Sequence, residues 1–127
     1  PSPVIRGNVV LGFGKQPHPI VKTTTIQSNG VRIRTSSDID ARTIFDGEVY
    51  SIIKSKNNTY TILIQHGNFF TVYKNLSEIY VKKGDILNTK ESIGKIATDR
   101  LNGQTILSFS IFKNGIPQNP RLWIYKM

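Results

Sequence analysis

The stretch "HGNFFTVYKNLSEIYVKKGDILNTKESIGKI", residues 66–96, decides the fold class of this protein. Apolar and polar residues alternate in its short segments, which are separated by glycine-containing turns. Alternation with a period of two is typical of β-strands. Similar segments precede it at residues 48–53 and 59–65, and another follows at residues 107–111. Strands spaced by roughly eight to twelve residues indicate an all-β sandwich or barrel.

The chain of 127 residues is short enough to form one domain. We therefore predict a single all-β domain of antiparallel strands over residues 1–127, with few or no helices. One short helical turn is predicted at residues 75–80, and residues 1–20 are predicted to be an irregular N-terminal segment. No apolar run reaches the ~18 residues that a membrane helix requires, so the sequence does not predict a membrane-spanning protein.

The strand predicted at residues 107–111 has two chemically different faces. Leu107, Phe109 and Ile111 share one face, whereas Ser108 and Ser110 share the other. We expect the apolar face to lie in the core and the hydroxyl face to be accessible.

The protein is strongly basic. It has 17 Lys and Arg residues against 8 Asp and Glu residues, a formal net charge of +9, which favours acidic partners. The basic residues are dispersed along the chain, and neither zinc-finger spacing nor an RNA-binding aromatic strand is present, so nucleic acid is not a predicted partner. The chain has no cysteine, which excludes disulfides and thiolate metal sites.

Two families share the pattern of short strands followed by glycine turns that is seen in "DGEV" (46–49), "VKKGDIL" (81–87) and "ESIGKI" (91–96). One comprises the biotinyl and lipoyl carrier domains. These carry a modified lysine at the tip of an exposed hairpin, and no Asp-Lys or Met-Lys-Met tip is found here. The other comprises the LytM, or lysostaphin-type, peptidase domains, which cleave peptide crosslinks in peptidoglycan.

Three segments in the same order and spacing resemble the LytM family. They are "NGVRIRTSSDIDARTIFDGEV" (29–49), the stretch 66–96 and "ILSFSIFKNGIPQNPRLWI" (106–124). The resemblance implies a LytM-type fold, which is a duplicated hybrid motif of antiparallel strands also described as a barrel-sandwich hybrid. It also implies that the chain is the C-terminal module of a longer protein, preceded by a coiled coil.

The chain differs from LytM peptidases at the residues that bind the metal and assist catalysis. LytM peptidases hold zinc with a His and an Asp four residues apart and with the second His of a His-x-His strand, and two further histidines assist the zinc-bound water. These positions correspond here to Ser28, Arg32, Ser108, Asn75 and Ile106. A guanidinium cannot be deprotonated to coordinate a metal and repels a dication. The resemblance therefore implies a protein without metal, cofactor or peptidase activity.

The two histidines of the chain give a weak metal signal. His66 lies at the end of a predicted strand, where we expect a packing role, and His18 lies between two prolines and is expected to be exposed. Neither has a carboxylate at ligand spacing. Residual peptidase activity with an unconventional metal site is an alternative, and it predicts one zinc per chain.

Among LytM domains, the chain resembles the degenerate ones of the EnvC and NlpD type, which activate murein hydrolases in cell division. The resemblance implies a periplasmic regulator that binds and activates a zinc-dependent peptidoglycan amidase through an emptied groove. Binding of peptidoglycan itself is left open, and a passive peptidoglycan- or polyanion-binding module is the rival hypothesis. The predicted groove residues are Ser28, Arg32, Asn68, Phe69, Tyr73, Lys74, Asn75, Ile106, Ser108 and Ser110.

Overall fold

Short antiparallel strands dominate the computed structural model, which describes residues 2–17 and 25–124. The strands, in chain order, are β1 (Asn8–Leu11), β2 (Gly14–Pro17), β3 (Thr25–Ser28), β4 (Val31–Thr35), β5 (Asp40–Arg42), β6 (Gly47–Lys54), β7 (Tyr60–His66), β8 (Phe69–Ile79), β9 (Ile86–Leu87), β10 (Ser92–Ile96), β11 (Thr105–Lys113) and β12 (Ile116–Gln118). A 3-10 turn follows at Pro120–Leu122.

Most strands belong to one sheet with the order β1-β4-β11-β8-β7-β6-β9. Strand β10 joins it by pairing with β8 and β5, β12 pairs with β11, and β2 and β3 form a separate two-stranded sheet. All of these pairings are antiparallel, which confirms the prediction of an all-β fold. Within the described residues there is no α-helix, and no helix has the length and hydropathy that a membrane crossing requires.

The core lies on one face of the sheet and is built by alternation along the strands. On β11, Leu107, Phe109 and Ile111 are fully buried, whereas Ser108 and Ser110 are partly exposed, as predicted. Residues from most of the long strands complete the core, including Val31, Ile33, Val49, Ile62, Ile64, Tyr73, Leu76 and Ile96. Side chains on the opposite face of β11 and β4, and Lys74 of β8, are more exposed.

Two predictions about local structure were wrong. The helical turn predicted at residues 75–80 is the end of the long strand β8, because pairing with β10 (Gly94↔Ile79) fixes that segment in an extended conformation. Residues 1–20 were predicted to be irregular but contain β1 and β2, which gain partners in β4 and β3. Residues 18–20, including His18, lie outside the described part of the chain.

Candidate functional site

A groove of about 880 Å³ opens on the face of the sheet opposite the core. It is lined by one residue of β4, by the β6–β7 turn and the start of β7, by β8 and β11, and by the loop before β11. The lining residues are Arg32, Ser55, Lys56, Asn57, Thr59, Thr61, Lys74, Asn75, Asp99, Asn102, Gln104, Ile106 and Ser108. Five of them were predicted from the sequence: Arg32, Lys74, Asn75, Ile106 and Ser108.

The groove exists because β8 and β11 separate at Asn75. Their last paired residues are Lys74 and Ser108, and beyond this point β8 pairs with β10 instead. Asn75 has a φ of 76° and is an extra residue opposite β7, which makes it a β-bulge. Its side-chain Nδ2 donates a hydrogen bond of 2.7 Å to the carbonyl of Ile106, and its own carbonyl accepts one of 2.8 Å from the amide of Ala97. Asn75 therefore bridges the two diverging strands.

The floor of the groove is a row of residues in cross-strand register. Arg32 on β4 is opposite Ser108 on β11, Ser108 is opposite Lys74 on β8, and Lys74 is opposite Thr61 on β7. Residues directly opposed in antiparallel strands point to the same face, with Cβ atoms about 4.5–5.5 Å apart. The register therefore places a cation on each side of the Ser108 hydroxyl.

The charge of the groove is positive. Arg32, Lys56 and Lys74 line it together with one carboxylate, Asp99. The Asp99 carboxylate accepts hydrogen bonds from the amides of Leu101 (2.7 Å) and Asn102 (3.2 Å), so it stabilises its own turn. Within residues 2–17 and 25–124, none of the three cations forms an ion pair. Their charge is therefore available to an acidic ligand.

The residues of the groove do not fit a zinc ion. The positions that the sequence resemblance assigns to ligands and catalytic histidines carry an arginine, an amide, an aliphatic side chain and hydroxyls, at Arg32, Asn75, Ile106, Ser108 and Ser28. Zinc sites in proteins use His, Cys, Asp and Glu, and a guanidinium at a ligand position opposes a dication. In the described part of the chain, no three His, Cys, Asp or Glu side chains come together in a way that could hold a metal ion.

His66 has a packing role, as expected. Its Nδ1 donates a hydrogen bond of 2.9 Å to the carbonyl of Asp46, and its Nε2 accepts one of 2.8 Å from the hydroxyl of Thr71. The ring stacks on Phe69 with centroids 4.8 Å apart. Burial lowers the pKa of His66 below its ordinary value, since the charged ring loses hydration. The imidazole is thus a neutral structural group.

The prediction that Tyr73 lines the groove was wrong. Tyr73 is fully buried, and its ring packs edge-on against Phe109 with centroids 5.1 Å apart. Its hydroxyl accepts a hydrogen bond of 3.2 Å from the amide of Ile44. The physical reason is the alternation of β8: Lys74 points into the groove, so the residue before it points into the core.

Asn68 and Phe69 do not line this groove, because they lie at the opposite end of β8 from Lys74. Phe69 precedes Lys74 by five residues, which corresponds to about 17 Å along a strand. Its ring packs against His66 and against Trp123, whose centroid is 4.7 Å away. Phe69 therefore contributes to an aromatic cluster with His66 and Trp123 and not to the groove.

Ser28 and Ser110 lie outside the residues that line the groove. The Ser28 hydroxyl donates a hydrogen bond of 2.7 Å to the carbonyl of Gly30. Ser110 shares the outer face of β11 with Ser108 but packs against Gly30, where an added Cβ would lie 2.4 Å from its Oγ and 2.3 Å from the carbonyl oxygen of Phe109. Gly30 is thus required for the close approach of its segment to β11.

Sequence reasoning missed two walls of the groove. One is the β6–β7 turn with the start of β7, where Lys56 and Thr61 lie, and the other is the loop before β11, where Asp99 and Gln104 lie. The first wall could have been predicted from the hairpin of β7 and β8, because this hairpin places Thr61 in register with Lys74. The second wall could not have been predicted, because the position of Asp99 and Gln104 depends on how the loop before β11 folds back.

Comparison with known proteins adds a family and a set of similar folds. A sequence model of peptidase family M23 matches residues 26–120, whereas no curated protein matches the chain. The fold is similar to a chain of the SpoIIIAH–SpoIIQ complex, with a TM-score of 0.80 and 24% identity over 98% of this chain and 99% of that chain.

Two further solved structures are much longer than this chain. Csd3 from Helicobacter pylori has a TM-score of 0.81 and 22% identity over 99% of this chain and 34% of its own. A zinc-containing peptidase from Vibrio cholerae has a TM-score of 0.73 and 27% identity over 88% of this chain and 35% of its own. The chain therefore spans about a third of either protein.

Proposed function

The chain belongs to peptidase family M23, and we propose that it is a non-catalytic member that binds a protein partner through the groove. One observation carries this proposal: Arg32 and Ser108, which the sequence resemblance assigns to two ligand positions of the family, are in direct register across β4 and β11. Neither side chain is a zinc ligand of the family, and the arginine opposes a dication. A peptide-sized groove with this chemistry supports recognition instead of hydrolysis.

The size of the groove supports binding of a ligand, and one similar fold supports a protein as that ligand. Its volume of about 880 Å³ lies in the range of specific ligand pockets, and its lining is rich in hydrogen-bonding groups. One of the similar folds, covered over 99% of its length, comes from a complex of two proteins, SpoIIIAH and SpoIIQ. Protein binding is therefore compatible with this fold.

At a finer level, we propose that the partner is a zinc-dependent peptidoglycan amidase and that binding activates it. A segment that blocks the active site of the amidase would be captured by the groove. Capture shifts the amidase toward its open state by as much as the binding free energy differs between the two states. This role places the domain in the periplasm, or elsewhere outside the cytoplasm, at the septal cell wall.

A dye-release assay on labelled cell wall tests this function. Amidase is incubated with and without the full chain, and then with Arg32→Glu or the matched control Arg6→Glu. Arg6 is an exposed arginine outside the groove, in the segment before β1. We expect stimulation by the wild type and by Arg6→Glu and its loss in Arg32→Glu. Equal dye release with and without the wild-type chain contradicts amidase activation.

The net charge of +9 favours a second function, passive binding of peptidoglycan or another polyanion. The two functions differ in their response to salt. A polyanion binder loses affinity steeply as the salt concentration rises, because many counterions are released, whereas a shaped groove with few ion pairs loses little. Sedimentation with purified cell wall at low and high salt separates them, since only the passive module is expected to detach at high salt.

A further inference from the structure

We propose that Arg32, Ser108 and Lys74 form a carboxylate site that anchors one Asp or Glu side chain of the partner segment. The inference rests on the proposed function, because it names the chemistry of the partner at the same groove. In this account the charge preference of the site is reversed relative to that of the family's peptidases. Where those hold a cation with anionic and neutral ligands, this chain presents cations to an anion.

The register supplies the geometry for this site. Arg32 and Lys74 lie on the strands on either side of Ser108, and all three side chains emerge on the same face. Neighbouring strands are about 4.8 Å apart, so the two cations start from Cα positions roughly 10 Å apart. Both side chains are exposed and long enough to converge above Ser108. Arginine can bind a carboxylate through two parallel hydrogen bonds, lysine adds a point charge, and the serine hydroxyl donates a third contact.

The surroundings leave these donors unsatisfied by the protein itself. Among the residues that the structure describes, Arg32 and Lys74 form no ion pair. Thr61 and Asn75 beside them are uncharged, and Asn75 already donates to the carbonyl of Ile106. The nearest carboxylate in the lining, Asp99, accepts two amide hydrogen bonds within its own turn. An incoming carboxylate therefore has no internal competitor.

The distribution of charge favours a single acidic side chain over a long polyanion. Recognition of a polyanion requires a continuous track of cations along the binding surface. Here Arg34 follows Arg32 on β4 and Lys56 lies on the β6–β7 turn, but Lys113 lies five residues beyond Ser108 on β11, or about 17 Å. Lys82 and Lys83 precede β9 at the far edge of the sheet. Arg32 and Lys74 on either side of the Ser108 hydroxyl therefore suit a single carboxylate.

Amide chemical shifts of the full chain, followed by NMR during peptide titration, test the site. The probe is acetyl-Gly-Ser-Glu-Ser-Gly-amide, and its control replaces Glu by Gln. We expect the Glu peptide to shift the amides of Arg32, Ser108 and Lys74 and to bind about tenfold more tightly than the Gln peptide, because hydrogen bonds between charged groups are stronger. Arg32→Gln and Lys74→Gln should each remove this preference, whereas Lys113→Gln should retain it.

Equal binding of the two peptides, or a preference that survives Arg32→Gln and Lys74→Gln together, would overturn the carboxylate site. A soluble peptidoglycan stem peptide that binds as tightly as the Glu peptide would overturn its assignment to a protein segment. The outcome of the peptide titration does not depend on whether the domain activates an amidase. If the Glu preference holds but no amidase is stimulated, the site stands and the proposed function fails. If stimulation persists in both Gln variants, the function stands and the site fails.

Discussion

Arg32 on β4 and Ser108 on β11 are directly opposed across the sheet, and both side chains lie on the face away from the core. The sequence resemblance assigns the two positions to zinc ligands of M23 peptidases, and in our proposal this cross-strand pair sets the chemistry of the groove. With a guanidinium beside a hydroxyl, the pair favours anions over dications. Under the proposed function, this backbone pairing presents side chains that recognise a ligand instead of side chains that hold a metal.

Replacing Asn75 is expected to destabilise the protein and disturb the groove. Asn75→Ala removes the hydrogen bond to the Ile106 carbonyl and forces alanine into a left-handed conformation. Together these effects are expected to lower the free energy of unfolding by about 2–3 kcal/mol, measured by urea denaturation. The Asn75→Gly variant separates the two contributions, because glycine tolerates the positive φ and loses only the hydrogen bond.

We therefore expect Asn75→Gly to retain about 1 kcal/mol more stability than Asn75→Ala. If the glycine variant were the less stable of the two, backbone strain at the bulge would not be the cause. A wild-type stability in both variants would show that Asn75 does not hold the strands at their point of divergence.

Tyr73 is expected to act through the core and not through ligand binding. Tyr73→Phe leaves the buried amide of Ile44 without its partner, which costs about 1–3 kcal/mol of unfolding free energy. Tyr80→Phe is the matched control: Tyr80 is exposed, and its hydroxyl donates to the carboxylate of Asp40 at the surface. The control is expected to change stability by about 0.5 kcal/mol or less.

The same Tyr73→Phe variant should stimulate amidase like the wild type at a temperature where both are folded. If the folded variant had unchanged stability but no longer stimulated the amidase, Tyr73 would be a residue of the binding surface. Thermal unfolding followed by circular dichroism, together with the dye-release assay, gives both readouts.

Stability is expected to fall on mild acidification because of His66. Its folded-state pKa lies below the value in the unfolded chain, about 6.5, so the unfolded state binds the proton more tightly. The contribution of the neutral ring is therefore complete above about pH 6.5 and declines as the pH falls toward the folded-state pKa. Urea unfolding at about pH 7.5 and about pH 5.5 measures the decline. His66→Gln should reduce this pH dependence, and an undiminished dependence would exclude His66 as its source.

The strands on either side of the groove could be predicted from the sequence because alternation is a local property. The alternation around Ser108 predicted which face of its strand is buried, and the family pattern assigned Arg32 to the same site, while their direct pairing is known from the structure. The burial of Tyr73 was predictable in principle, since the exposure of Lys74 fixes the direction of its neighbour. The family motif favours a binding role for this tyrosine, but the alternation of β8 directs it into the core.

Other features required the tertiary structure. Residues 75–80 have a composition compatible with a helical turn, and only pairing with β10 makes them a strand. Strands β1 and β2 have weak local signals and depend on β4 and β3 for their partners. The loop that carries Asp99 forms its own turn beside the groove. No alternation of apolar and polar residues in the sequence predicts the position of this turn.

We expect the face around Arg32 and Ser108 to favour an anion over a metal ion. Titration of Zn²⁺ into the metal-free full chain, followed by isothermal calorimetry, tests it most directly, with Ser108→Ala as the comparison. We predict no binding event that depends on Ser108 and no zinc retained in stoichiometric amount after dialysis. One zinc bound per chain, lost in Ser108→Ala, would contradict the account.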